Sequence, residues 1–164
     1  MYKIRAFTLI ELLVTIAIVG ILLTVGVPSL STMNINSAAD RYRDDLLRDI
    51  SFARDFAVNN VTTIDTVSIS PINNDWSNGW QVISDGDDGL VVRIQTGSAT
   101  TPLAATGTIT STYTSGTPLV FDDQGRVTSA AGSFTINVPN CTGNRVRTIS
   151  ITFMGQVLVQ EAAC

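Results

Sequence analysis

The sequence predicts an α+β fold: one long N-terminal α-helix, transmembrane in its first half and amphipathic in its second, packed on an antiparallel β domain. Three observations predict it. Residues 7–27 are 21 mostly apolar positions, about the ~20 a helix needs to cross a bilayer. Beyond Pro28, apolar residues recur every three or four positions up to Ala57. From Val61 onward, short β-rich runs alternate with turn residues.

The first element starts behind a short basic leader, residues 1–6, that holds Lys3 and Arg5 and no acid. Cations at one end of an apolar span keep that end cytoplasmic, which puts the rest of the chain outside. No A-x-A-like cleavage site follows the apolar stretch, so the stretch is expected to stay on the mature protein. Its single formal charge is Glu11. A carboxylate in such a span is costly unless it is paired or lies near the headgroups. Pro28 removes a backbone hydrogen bond and clashes with the carbonyl of Thr24, so a kink or a loosened turn is expected there.

The amphipathic half carries Ile35, Ala39, Tyr42, Leu46, Ile50, Ala53 and Ala57 on one face, widened by Leu47 and Phe56. Its other face holds alternating charges from Asp40 to Asp55, read as a solvated face or a subunit contact. Asp44 and Arg48 stand in the favourable acid-first i,i+4 order. Asn59-Asn60 is the expected helix end.

The expected strands are 63–70, 80–84, 90–95, 106–110, 119–122, 133–138, 146–152 and 156–160, forming one antiparallel sheet or two. Turns are expected at Asn73-Asn74-Asp75, Ser77-Asn78-Gly79, Asp85–Gly89 and Asp123-Gln124-Gly125. The Thr/Ser/Gly-rich stretch 96–117 reads as the loosest region.

Mean hydropathy is +0.28, and much of that excess lies in the N-terminal segment. The formal charge of −4 becomes −6 without the leader, an acidic balance that argues against a primary role in nucleic-acid binding. Histidine is absent, and there is no phosphate loop or metal-spaced cluster, so no enzyme activity or cofactor is expected. Asp85–Gly89 resembles a calcium loop, but position 12 of such a loop would be Thr96 rather than Glu. Arg145 and Arg147 alternate along a strand and share a face, with Arg126 as a further candidate for phosphate contact. Ordinary solvated arginines are the alternative. The two cysteines, Cys141 and Cys164, suggest a disulfide in an exported chain. It would close a loop of about 24 residues, worth roughly 3 kcal/mol in the chain-entropy model, and fasten the last strand pair.

The stretch A-FTLIELL, from Ala6 to Leu13, resembles the processing site of type IV prepilins. The resemblance implies that a prepilin peptidase cuts between Ala6 and Phe7 and that Phe7 becomes N-methylphenylalanine. The family usually has Gly before the cut, where this chain has Ala6. Glu11 is then the fifth mature residue and Pro28 the twenty-second, both at family spacing. The resemblance further implies that Glu11 pairs with the terminal amine of a neighbouring subunit and sets assembly register.

Further motifs resemble the GspH/FimT pseudopilins, which include FimU-type minor pilins: ARDFA at 53–57, WSNGWQVISDGDDG at 76–89, VFDDQGRV at 120–127 and RTISITFMGQVLV at 147–159. They imply a pilin fold: a leader (1–6), a membrane and filament-core helix (7–28) and a periplasmic or extracellular globular domain (29–164). The implied role is a minor type IV pilin stored in the bacterial inner membrane and built into the pilus near its tip. The implied partners are other minor and major pilins, the inner-membrane assembly platform and the prepilin peptidase. The alternatives are a type II secretion pseudopilin, a major pilin or a DNA-binding minor pilin. Some FimT-type members bind DNA through Gly-Arg-x-Arg near the C-terminus; the matching place here is Gly155-Gln156-Val157-Leu158, without either arginine.

Overall fold

The computed structural model describes residues 8–60, 66–85, 90–96, 107–139, 141 and 143–164. Two compact units are present, Met1–Asn34 and Ile35–Cys164. Helix α1 is assigned over Leu9–Asn59, ending where the Asn pair predicts. Its first turn is capped by Thr8, whose Oγ1 accepts from the Glu11 amide at 3.3 Å.

In the second unit, the apolar stripe of α1 is buried as its spacing requires. Ala39, Leu46, Ile50, Ala53 and Ala57 are at most 1% exposed. Small alanines along this stripe let the helix approach the sheets closely, and Leu47, Phe52 and Phe56 flank it. Eight strands follow: β1 (Thr66–Pro71), β2 (Gly79–Ser84), β3 (Val91–Thr96), β4 (Thr108–Ser111), β5 (Leu119–Asp122), β6 (Gly132–Asn137), β7 (Asn144–Ile151) and β8 (Val157–Ala163). They form two four-stranded antiparallel sheets, ordered β3-β2-β1-β5 and β4-β6-β7-β8. The alternation of buried and half-buried residues along β1 and β7 is that of strands with one face on a core. An isolated bridge from Phe121 to Val127, and a bond from the Val127 amide to the Phe153 carbonyl, stitch the β5 hairpin to the second sheet.

The link between β1 and β2 is two 3-10 turns, Ile72–Asn74 and Trp76–Asn78. Asp75 caps the second by accepting from the Ser77 amide. Gly79, at φ 106°, then turns the chain so that both Trp76 and Trp80 enter the core. Trp76 meets Phe134 edge-on at 4.7 Å and donates its Nε1–H to the Tyr113 carbonyl at 2.8 Å.

Two expectations are corrected here. Asp49, read from sequence as part of the solvated face, is fully buried. Its Oδ2 accepts from Trp80 Nε1 at 2.9 Å, and Arg93 Nε lies 2.9 Å from Oδ1, a charge contact without hydrogen-bond alignment. The Arg93 guanidinium also covers the Phe52 ring at 5.2 Å. The Asp44–Arg48 pair is not the one formed: Arg48 takes Asp45 at 2.9 Å, and Asp44 takes Arg43 at 2.8 Å. A buried carboxylate is tolerated only while its donors remain. Trp80→Phe deletes the hydrogen bond to Asp49 and is expected to cost about 1.5–3 kcal/mol in urea unfolding followed by the fluorescence of Trp76.

Candidate assembly site

The first unit has the chemistry of a helix that needs a partner. From Leu9 to Leu23, every Leu, Ile and Val of α1 is between 49% and 78% exposed. A helix that is apolar all round is stable only inside a larger assembly or a bilayer. Its hydroxyls are spent on its own backbone: Thr15 Oγ1 donates to the Leu12 carbonyl and Thr24 Oγ1 to the Ile21 carbonyl, each at 2.8 Å. Glu11 is the single charged residue of 9–24 and stands exposed in the first turn, where a helix N-terminus favours an anion. Among the described residues no helix is long and apolar enough to cross a membrane. Ala6 and Phe7 lie outside the described residues, and Pro28 falls within the assigned helix with its side-chain surroundings likewise outside them. Thr8 is a residue that the sequence reading missed. The spacing Thr8-x-x-Glu11 is a capping-box signature, visible in the sequence itself.

The second unit gathers the other candidate residues around Asp40 of α1. Arg147 Nη2 lies 3.0 Å from Asp40 Oδ1, and Arg145 Nη1 lies 3.2 Å from Asp40 Oδ2. Arg43 Nη1 adds a third contact to Asp40 at 3.3 Å, and Glu161 of β8 reaches Arg147 at 3.3 Å. Arg145 and Arg147 do share a face, as their alternation predicts. That face is turned onto α1, and the Arg147 side chain is only 3% exposed. Arg126 is not part of this cluster; it pairs with Asp122 at 2.9 Å. These contacts tie the arginines to carboxylates of the same chain, which leaves less charge for a phosphate backbone.

Cys141 and Cys164 form a disulfide across 5.9 Å between their Cα atoms. It closes the far end of β8, where the Cys164 amide also donates to the Gly143 carbonyl at 3.1 Å. The last strand therefore extends to Ala163, beyond the expected end at Gln160.

Three motifs that are far apart in sequence meet at Arg54. Its Nε donates to the Gly125 carbonyl at 2.9 Å. Gly125 and Gly155 both stand at φ 71°. A Cβ on Gly155 would run into the Gly125 carbonyl oxygen, and one on Gly125 would meet Arg54 Nε at 2.9 Å. Beside this junction a groove of about 760 Å³ runs between residues 50–55 of α1 and residues 156–158 at the start of β8. The adjoining turn exposes Phe153 and Met154 by 62% and 63%. Among the described residues no cluster of metal-ligating side chains is present, and residues 86–89 of the calcium-like loop lie outside them.

Gly155→Ala is expected to destabilise the second unit by about 1–3 kcal/mol, measured by chemical denaturation, because it forces a left-handed backbone and a clash together. The Asp122 turn carries a pH dependence. Burial pushes the Asp122 carboxyl up, but the Arg126 and Gln124 amides and the Arg126 guanidinium outweigh it and hold the carboxyl below its ordinary value. A folded-state value below the unfolded one means stability that is complete above about pH 4 and lost as pH falls through the folded value. Asp122→Asn is expected to flatten that part of the acid-unfolding profile, read by circular dichroism.

A family model described as "Type II transport protein GspH" matches residues 43–155, and one described as "Prokaryotic N-terminal methylation motif" matches residues 1–27. No curated protein and no solved structure gives a significant match. The first match covers more than half of the chain, from the second half of α1 through β7, and the protein belongs to the GspH family and is a pilin-like protein of the GspH/FimT type.

Proposed function

We propose that the chain is a minor type IV pilin, a non-enzymatic structural subunit that works by helix packing in a filament core and by domain contacts outside it. The observation that carries this reading is the all-round apolar, exposed helix from Leu9 to Leu23 with one charge, Glu11, near its start. In this reading the leader 1–6 is cut away between Ala6 and Phe7, and Phe7 is methylated at its new amine. Residues 7–28 hold the chain in the bacterial inner membrane with the N-terminus cytoplasmic, and residues 29–164 lie outside. Glu11 pairs with the terminal amine of a neighbouring subunit, which removes the cost of placing a carboxylate among apolar helices. The exposed Phe153 and Met154 suit a contact with a neighbouring globular domain. The partners are other minor and major pilins, the inner-membrane assembly platform and the prepilin peptidase, and the place is near the pilus tip.

A second reading has support from the description of the matching family: a pseudopilin of a type II secretion system, built from the same parts. One experiment separates the two. Filaments sheared from the cell surface are fractionated, and the intact mass of the chain is measured in the filament and membrane fractions. A chain that begins at methylated Phe7 in the filaments is the expected result. The same mature chain confined to the membrane fraction of a secretion-competent cell favours the pseudopilin. A chain that retains Met1–Ala6 in both fractions removes the processing and the role of Glu11 together.

A further inference from the structure

We propose that the Cys141–Cys164 bridge is a redox latch on strand β8, so that thiol reduction releases β8 while the rest of the globular unit stays folded.

β8 is held unlike the other strands of its sheet. It lies at the edge of β4-β6-β7-β8, and six of its seven residues are exposed. Val159 is its one residue packed against the core. By contrast, β4, β6 and β7 each bury side chains: Ile109; Phe134 and Ile136; Ile149 and Ile151. What keeps β8 in place is its ladder to β7, from Ile151↔Val157 to Asn144↔Ala163, closed at one end by the Gly155 turn and at the other by the disulfide. An edge strand with so little buried surface sits at the low-stability end of a fold and opens locally. The bridge turns that opening from fraying of a free end into opening of a closed loop, which is far less favourable.

Release of β8 leaves no charge stranded. Glu161 departs with β8, but Arg147 keeps Asp40 at 3.0 Å and its bond to the Asn144 carbonyl. The opened state uncovers the outer edge of β7, a row of main-chain donors and acceptors able to pair with another extended strand.

The chemistry needs a dithiol reductant. Cys164 is exposed and Cys141 is partly buried, so a thiolate of the dithiol attacks Cys164 Sγ. The Cys141–Cys164 bond breaks, and Cys141 leaves as a thiolate that takes a proton. The second thiol of the reductant then attacks the mixed disulfide. Cys164 is freed as a thiol, and the reductant keeps the two electrons' worth of oxidation as its own disulfide.

Hydrogen exchange with mass spectrometry on the full chain in detergent, before and after dithiothreitol, tests the latch. The expected result is exchange on the order of a hundredfold faster across 157–163 after reduction, with peptides covering 42–57 and 132–137 unchanged. Cys164→Ser without reductant is expected to reproduce the fast β8 exchange and to abolish any further response to dithiothreitol. No acceleration at β8, equal acceleration throughout the globular unit, or a reductant response that survives in Cys164→Ser each overturns the proposal.

Discussion

One buried carboxylate organises the globular unit. Asp49 sits at the centre of the helical face that covers the core, between Leu46 and Ile50, and it has no access to water. Its charge is met by Trp80 of β2 and Arg93 of β3, which approach it from the first sheet, and by Arg48 of its own helix at 3.7 Å. That requirement sets the helix against β2 and β3 at one level, and apolar packing from Ala39 to Ala57 then fills in above and below. Apolar contacts alone leave a helix free to slide by a turn over a sheet at little cost. A buried charged group with fixed partners on the sheet opposes such a slide.

A second charged point, Asp40, does for the second sheet what Asp49 does for the first. It receives Arg145 and Arg147 from β7 and Arg43 from its own helix. The two sheets are thus keyed to one helix at points nine residues apart, between two and three turns. Arg54 supplies a third point, where the Gly125 turn and the Gly155 turn close on one guanidinium and on each other. These three residues explain how a rather small core holds two separate sheets in a fixed relation to α1.

The fold was legible in the sequence wherever the signal is local. The stripe Ala39-Tyr42-Leu46-Ile50-Ala53-Ala57 is a 3.6-residue period, and it is the face that is buried. All eight strands lie within about three residues of their expected positions, because alternation and turn residues mark them directly. The roles of the charged residues were not legible. Asp49 and Arg147 look like any other charges on a helix or strand surface, and only their partners, 31 and 107 residues away, make them interior. For the candidate site, Glu11 and the cysteine pair stood out by position and by number. The capping role of Thr8 is legible in its spacing from Glu11; Ala6 and Phe7 fall outside the described residues.

The partners of Asp40 have a bearing on the order of events during synthesis. The helix is made first, whereas Arg145 and Arg147 follow Asp40 by 105 and 107 residues. Until they arrive, the helix carries an apolar stripe without the second sheet that covers part of it, and an acid matched only by Arg43 of its own helix. Closure of the unit waits on some of its last residues, and such long-range pairing is slow. A nascent chain of this design therefore spends most of its synthesis unfinished and in need of shielding, and it becomes a stable body only once β7 has joined.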